Sequence, residues 1–156
     1  MKMYMTRFKN LTLVAASLLL LSINSVETRA EGRTAYPSTA VEGLPYSGVV
    51  KAQGMVYVGG VLGTKPGTGE LVSGGVENEA RQALNHVKDM MELAGTSLDQ
   101  TVKCIVLLTS VDYFPPMNGV FREFFPSNPP TRSTIVVPEI PLGASVEIDC
   151  TAVANG

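Results

Sequence analysis

Apolar residues recur at three- and four-residue intervals between positions 76 and 94, and this stripe leaves few possible folds for the chain. Charged side chains such as Glu77 and Lys88 take the intervening positions, which is typical of an amphipathic helix with one buried face. Gly95 follows the last periodic residue and is suited to ending the helix. Because one helix face is apolar, it must pack on a second layer of structure.

Segments typical of β-strands lie on both sides of this helix. The predicted strands are residues 46–51, 55–61, 102–111, 132–137 and 145–153. A second helix is predicted to begin at Pro115 and Pro116 and to end before Pro126. The order strand, strand, helix, strand, helix, strand, strand predicts an α+β domain with both helices on one face of a mixed sheet. The run at 102–111 is predicted to be buried on both faces, so we expect other copies of the chain to cover the second face.

The N-terminus has the anatomy of a secretory signal peptide. Basic residues precede an apolar run of roughly 13 residues, which is shorter than the ~20 needed to span a bilayer. A short polar stretch then ends at Ala30 with small residues at the positions a signal peptidase inspects. We expect residues 1–30 to be removed and the protein to be exported, to the periplasm or the medium. An uncleaved N-terminal anchor is the alternative.

The polar segment at residues 31–42 is predicted to be a flexible lead-in to a single domain at residues 43–156. A Gly-rich stretch at residues 63–70 lacks the GxxxxGK[ST] order of a phosphate loop and predicts a turn. The net charge of −2 argues against nucleic acid as the main partner. With one His, two Cys and neither a CxxC nor an HExxH motif, no metal site is expected.

Cys104 and Cys150 both lie in apolar, strand-like segments. Two buried thiols that act as small hydrophobes are the simpler prediction. A disulfide is the alternative, because an exported protein meets an oxidising environment but the bond needs a narrow geometry. His86 lies on the first predicted helix without an evident acid or nucleophile beside it, so a Cys–His pair is not expected.

Arg132 stands at a loop–strand junction directly after Pro129 and Pro130. A guanidinium offers a fixed fork of donors that matches a carboxylate, although an Arg at such a junction is usually a solvated surface residue. Glu147 lies between the β-branched or apolar residues Val146 and Ile148. Partial burial there would raise the pKa of its carboxyl group towards general acid–base use.

At these residues the sequence closely resembles the reactive-intermediate deaminase family, also called RidA-like or YjgF-like. The C-terminal signature is the run at residues 130–135, followed after a turn by residues 146–148. Further landmarks occur in the family's order over nearly all of the predicted mature chain. They are the segments at residues 57–60, 79–87, 93–95, 117–118 and 124–125.

The resemblance implies a chorismate-mutase-like subunit that assembles as a homotrimer with a small pocket at each subunit interface. It implies hydrolysis of reactive enamines and imines, such as 2-aminoacrylate, to 2-oxo acids and ammonia without a metal or organic cofactor. By position, Arg132 would hold the substrate carboxylate and Glu147 would activate water and assist proton transfer. The substrate pocket would also include Tyr46, Gly60, Asn118 and Thr134.

The chain departs from the family where a Ser-Gly-Gln-like segment is replaced by Gly59-Gly60-Val61, which removes polar groups near the pocket. Leu44 replaces the Gly of a Gly-Pro-Tyr segment, and Thr134 replaces a common Cys. These changes leave open a trimeric protein that binds small carboxylates without turnover. A third hypothesis is an interaction or holdase-like protein that uses its outer surface.

Overall fold

The computed structural model describes residues 32–41 and 43–155. The predicted signal peptide at residues 1–30 lies outside this range. Within the described residues, two helices pack on one face of a six-stranded mixed sheet. The elements are β1 (Thr34–Tyr36), β2 (Val49–Ala52), β3 (Met55–Leu62), α1 (Gly75–Leu93), β4 (Thr101–Leu108), α2 (Phe114–Phe124), β5 (Thr131–Val136) and β6 (Val146–Val153). The predicted α+β class is confirmed, and the seven predicted elements occur in the predicted order after one additional strand, β1.

The last strand of the chain lies in the middle of the sheet. The strand order is β1-β2-β3-β6-β4-β5, and only the β4–β5 pair among these described strands is parallel. Because α2 connects β4 to β5, these two strands can run in the same direction. The insertion of β6 between β3 and β4 joins the N-terminal and C-terminal halves of the sheet.

The predicted strands at 46–51 and 55–61 correspond to β2 and β3, which a two-residue turn joins. Gln53 and Gly54 form the turn with φ of 50° and 74°, the left-handed backbone that suits a tight hairpin. The polar segment before it was predicted to be flexible, but it contains an edge strand. β1 pairs antiparallel with β2, with Ala35 opposite Val50. Backbone hydrogen bonds need no apolar side chains, so composition did not reveal this strand.

The core lies between the helices and the inner face of the sheet. The stripe of α1 packs against β3, β6 and α2. Alternate residues of β4 and β6 point into the core, including Val106 and Ile148, which are fully buried. Phe121 of α2 stacks at 4.6 Å on Phe125 and is buried with it. None of the helices in the described ranges combines the length and hydrophobicity needed to cross a membrane.

The outer face of the sheet carries several apolar side chains and is uncovered in the single chain. Tyr57, Ile135 and Val153 point outwards and are 41–48% exposed, and Ile105 and Leu107 are half-buried. No element in the described part of the chain forms a layer on this side. Burial of the strand at 102–111 on both faces therefore requires other copies of the chain, as expected above, and stays a prediction.

Candidate functional site

Arg132 lies on the inner face of the edge strand β5, next to α2. In the parallel register Arg132 is the partner of the buried Cys104, so both side chains point towards the helices. The guanidinium carbon lies 4.6 Å from the ring centre of Phe121 and 5.7 Å from that of Phe114. At these distances both rings attract the cation, and they limit the orientations of its side chain.

Asn118 and Met117 hold the guanidinium from the side of α2. The Nη2 of Arg132 donates a hydrogen bond to Asn118 Oδ1 at 2.5 Å, and Nη1 lies 3.8 Å from Met117 Sδ. Phe114, Asn118 and Phe121 follow one another at intervals of four and three residues, which places them on one helix face. That spacing is the signal that could have placed the two aromatic rings beside Arg132 from the sequence.

Arg132 forms no ion pair with a carboxylate in the described residues, where the three ion pairs involve Lys65, Arg81 and Lys88. Burial lowers the pKa of Arg132 from its ordinary value, with a smaller contribution from the nearby Arg122. A guanidinium stays charged despite such a shift. Its remaining donors are therefore available for an anion.

These residues line an open groove of about 580 Å³, called here the Arg132 groove. Thr134, two residues along β5, contributes to its wall, together with Pro129 and Pro130 from the loop before β5. The structure therefore brings together three of the six predicted site residues, Arg132, Asn118 and Thr134. Arg122 also borders the groove and was not predicted from the sequence.

Glu147 lies on the opposite, outer face of the sheet. It is the register partner of Leu62 on β3 and of Leu107 on β4, whereas its neighbours Val146 and Ile148 point into the core. Its carboxylate lies over Gly60, where an added Cβ would overlap Glu147 Oε1. Burial raises the pKa of Glu147, and the negative charge of Asp149 raises it further. A raised pKa suits a group that both accepts and donates a proton.

Tyr46 and Gly60 border a second cavity of about 260 Å³, called here the Tyr46 cavity. Tyr46 is 59% exposed at its mouth. A β-bulge between Val58 and Val61 positions Gly60, because the extra residue locally changes the register between β3 and β6. The second group of predicted site residues is thus Tyr46, Gly60 and Glu147.

The sheet separates the two groups within one chain. Arg132 points to the helix side of the sheet and Glu147 points to the outer side. The family resemblance implies that they act on one ligand in a pocket between subunits, and a single chain does not bring them to one pocket. A shared site would need Arg132 from one copy of the chain and Glu147 from another.

Cys104 and Cys150 are bonded to each other, with their Cα atoms 4.1 Å apart. The simpler prediction of two buried thiols is therefore wrong. The two residues are direct cross-strand partners of the antiparallel β4–β6 pair and point into the same core. The sequence did not reveal this pairing, because β4 and β6 are far apart along the chain and become neighbours only in the tertiary structure. In the described residues, no cluster of three or more His, Cys, Asp or Glu side chains could hold a metal ion.

A family comparison matches the model described as endoribonuclease L-PSP over residues 38–154. Among curated relatives, the human 2-iminobutanoate/2-iminopropanoate deaminase is 37% identical over 109 residues, which cover 70% of this chain and 80% of that protein. The chloroplastic Reactive Intermediate Deaminase A of Arabidopsis thaliana is 33% identical over 132 residues, 85% of this chain and 70% of that protein.

Solved structures agree with this match. RidA from the Antarctic bacterium Psychrobacter sp. PAMC 21119 superposes with a TM-score of 0.72 at 34% identity, and covers 77% of this chain and 98% of that one. The YjgF gene product of E. coli superposes with a TM-score of 0.72 at 29% identity over 78% of this chain and 98% of that one.

Proposed function

The chain belongs to the endoribonuclease L-PSP family, and from this membership and the Arg132 groove we propose that it hydrolyses reactive 2-imino acids to 2-oxo acids and ammonia. Relatives at 33–38% identity carry the names of such deaminases. The observation that carries the proposal is Arg132, a partly buried cation held by two rings and an amide, with no carboxylate partner in the described residues. This arrangement suits a small carboxylate ligand.

In the proposed reaction Arg132 holds the substrate carboxylate and so fixes the position of the neighbouring carbon. An enamine such as 2-aminoacrylate first gains a proton at carbon and loses one from nitrogen, which gives the imine. The Glu147 carboxylate takes a proton from water as the water oxygen attacks the C=N carbon, and passes this proton to nitrogen. The proton of the new hydroxyl group then moves to nitrogen as the C=O bond forms and the C–N bond breaks. Water is consumed and ammonia leaves, so the reaction balances without a redox cofactor.

The site proposed for this reaction lies between two copies of the chain in a homotrimer. Arg132, Asn118 and Thr134 of one copy would face Tyr46, Gly60 and Glu147 of the next. The exposed apolar side chains of the outer face, including Tyr57 and Ile135, support burial against other copies. Light scattering coupled to size-exclusion chromatography tests the assembly, and a monomer at micromolar concentration would rule it out.

The direct test of the reaction is to generate 2-aminoacrylate in situ from serine with a dehydratase and to follow its decay. We expect wild type to accelerate the decay and Arg132→Ala to lose at least tenfold of kcat/KM, because a charge-assisted contact is removed. Arg122→Ala, at the rim of the same groove, is the matched control and should change the rate far less. Decay no faster than in buffer for wild type would refute the deaminase. Binding of pyruvate without turnover would instead support a non-catalytic carboxylate-binding protein.

The family description as an endoribonuclease raises RNA as a substrate. The net charge of −2 makes the chain a poor match for a polyanion. We therefore propose a small-molecule substrate and no nucleic-acid partner.

We also propose that the protein is exported after removal of the signal peptide, without stable insertion in the membrane. The disulfide supports this location, because such bonds persist mainly in oxidising compartments. N-terminal sequencing of protein from fractionated cells tests the proposal. A mature chain starting at Glu31 outside the cytoplasm is expected, and an intact Met1 in the cytoplasmic fraction would contradict it.

A further inference from the structure

Glu79 is a buried carboxylate that the proposed reaction does not use. It lies on α1 and is 6% exposed. It forms no ion pair among the described residues, and it lines neither the Tyr46 cavity nor the Arg132 groove. Burial of a carboxylate without a cation is costly unless hydrogen bonds replace its water. The hydrogen bonds of this carboxylate therefore indicate its role.

Both carboxylate oxygens of Glu79 accept hydrogen bonds from Ser145. Oε2 lies 2.6 Å from the backbone nitrogen of Ser145, and Oε1 lies 2.9 Å from its hydroxyl oxygen. Hydrogen bonds to an ionised acceptor are stronger than those to a neutral one. On its other side, the carbonyl of Ser145 accepts a hydrogen bond at 3.1 Å from the N–H of Thr109, directly after β4. Ser145 is therefore fixed between α1 and the end of β4.

Ser145 directly precedes β6, the strand that carries Glu147. The single residue between them, Val146, is fully buried and is the register partner of Leu108 on β4. Close-packed segments transmit strain because they leave no free space for a local adjustment. A shift of Ser145 is therefore passed on to Glu147.

The same turn of α1 also contacts the strand next to Glu147. A Cβ at Gly63 would overlap the Cα of Glu79, so glycine permits a close approach of the two backbones here. Gly63 directly follows β3, whose last residue, Leu62, is the register partner of Glu147. The turn at Glu79 thus contacts both chain segments that determine where the Glu147 carboxylate lies.

We propose that Glu79 is a positioning residue, which holds the Glu147 carboxylate in its place over Gly60 by fixing Ser145. This inference rests on the proposed function, because it concerns the acid–base group of that reaction. Glu79 takes no proton and touches no substrate in this scheme. Its contribution is the geometry of another side chain.

The loop between β5 and β6 also depends on this anchor. Leu142 in this loop has a left-handed backbone with φ of 62°, which is uncommon for a residue other than glycine. Such a backbone persists when the surrounding structure holds it. Because Pro141 and Leu142 border the Tyr46 cavity, the anchor at Ser145 also keeps this wall of the cavity in place.

Steady-state kinetics on 2-aminoacrylate test the inference with two substitutions. Glu79→Ala removes both hydrogen-bond acceptors, and we expect kcat to fall roughly tenfold because Glu147 leaves its place. KM should change less than about twofold, because Arg132 still holds the substrate carboxylate. In Glu79→Gln the amide oxygen still accepts from the N–H of Ser145, and the amide nitrogen donates to its hydroxyl oxygen. This variant should keep kcat within about twofold of wild type.

The pKa of Glu147 gives a second readout that requires no turnover. It is measured from the pH dependence of the carboxyl carbon NMR signal, which Glu147→Gln assigns. In Glu79→Ala this pKa should fall towards the ordinary range, because a displaced carboxylate regains water. Glu79→Gln lacks the same negative charge but keeps the contact, so there the pKa should stay at the wild-type value. Asp149, which also raises the pKa of Glu147, is present in every variant.

Thr96→Val controls for a general loss of stability. It removes the hydrogen bond that Thr96 Oγ1 donates to the carbonyl of Val153, at the far end of β6, at 2.6 Å. It should lower the melting temperature but leave kcat and the pKa of Glu147 unchanged. An equal loss of kcat in this control, or in both Glu79 variants, would overturn the inference. Glu79→Leu keeps the side-chain volume and takes the place of Glu79→Ala if that variant does not fold.

Failure of this inference and failure of the proposed reaction give different results. If wild type hydrolyses 2-aminoacrylate and Glu79→Ala keeps both its kcat and its Glu147 pKa, only the positioning role fails. If wild type hydrolyses nothing, the proposed reaction fails and the pKa of Glu147 alone tests the anchor. An unchanged pKa in Glu79→Ala would then overturn the inference.

Discussion

Gly60 is the residue whose side chain, a single hydrogen, permits the observed position of Glu147. A Cβ at Gly60 would overlap the terminal oxygen of that side chain, which can rotate away at little energetic cost. The neighbouring Gly59 differs, because a Cβ there would meet only backbone oxygens at 3.7 Å or more, an ordinary contact distance. The two glycines therefore form a matched pair for testing whether the orientation of Glu147 matters.

We predict that Gly60→Ala folds normally but loses at least tenfold of kcat on 2-aminoacrylate, because a displaced carboxylate no longer lies near the reacting carbon. Gly59→Ala should keep most of the activity. Steady-state kinetics and thermal unfolding of both variants check this. Full activity of Gly60→Ala would show that the position of Glu147 does not limit the reaction.

Asp149 influences Glu147 through its charge. Burial and the Asp149 carboxylate both raise the pKa of Glu147, so the ionised, water-activating form becomes abundant only at higher pH than for an ordinary Glu. The kcat/KM should therefore fall as the pH is lowered. The midpoint of this fall, the acid limb of the pH profile, should lie above the pKa range of an ordinary Glu. Removal of the negative charge of Asp149 makes the ionisation of Glu147 easier.

We predict that Asp149→Asn moves the acid limb of the kcat/KM profile to lower pH. Asp89→Asn, on the exposed side of α1, is the control and should leave the limb in place. Profiles of kcat/KM against pH, measured at constant ionic strength, decide between these outcomes. A shift of the limb to higher pH in Asp149→Asn would contradict the assignment of Glu147 as the titrating group.

At the scale of secondary-structure elements, the disulfide joins the two central strands β4 and β6. Its cysteines are separated by 46 residues along the chain, and α2 and β5 lie between them. A bond that closes a loop of this length lowers the entropy of the unfolded chain, with a chain-entropy contribution of about 4 kcal/mol. β4 also pairs with β5, the strand that carries Arg132. The stability of β4 therefore affects the Arg132 groove.

We predict that reduction of the Cys104–Cys150 bond lowers the free energy of unfolding by about 2–4 kcal/mol. Urea unfolding with and without a reductant measures the difference. The double variant Cys104→Ala/Cys150→Ala is the control, and the reductant should not affect it. Two free thiols in the denatured, unreduced mature protein would contradict the bond.

At the scale of the whole molecule, one chain carries two separate groups of predicted site residues, called here half-sites. The first comprises Arg132, Asn118 and Thr134 on the helix side of the sheet. The second comprises Tyr46, Gly60 and Glu147, of which Glu147 points to the outer side. If these half-sites meet between copies, an inactive chain lacking Arg132 still offers an intact Glu147 to its neighbour. In the same way, a chain that lacks Glu147 still offers an intact Arg132 to its neighbour.

We predict that Arg132→Ala and Glu147→Ala are each inactive alone but regain activity when co-expressed. Random assembly of equal amounts should restore about a quarter of the interface sites, because each site needs Arg132 from one variant and Glu147 from the other. The activity of purified mixed oligomers on 2-aminoacrylate measures this. No recovery in oligomers shown by mass spectrometry to be mixed would place both residues in a site within one chain.

Local patterns in the sequence determined the elements, because helix and strand periodicities depend on residues close together in the chain. The α1 stripe, the strands β2 and β3 and the start of α2 at its prolines were all predicted. Arg132 and Glu147 were recognisable as candidates from their family landmarks. The edge strand β1 was not, because it depends on backbone pairing with β2 and not on its own side chains.

Only the tertiary structure decided which distant residues meet. The insertion of β6 between β3 and β4 makes Cys104 and Cys150 neighbours and places Glu147 over Gly60. The register of β5 on β4 turns Arg132 towards the helices, away from Glu147. The Tyr46 cavity lies among three segments far apart in the chain. Such pairings follow from long-range packing of the strands, and no local spacing in the sequence encodes them.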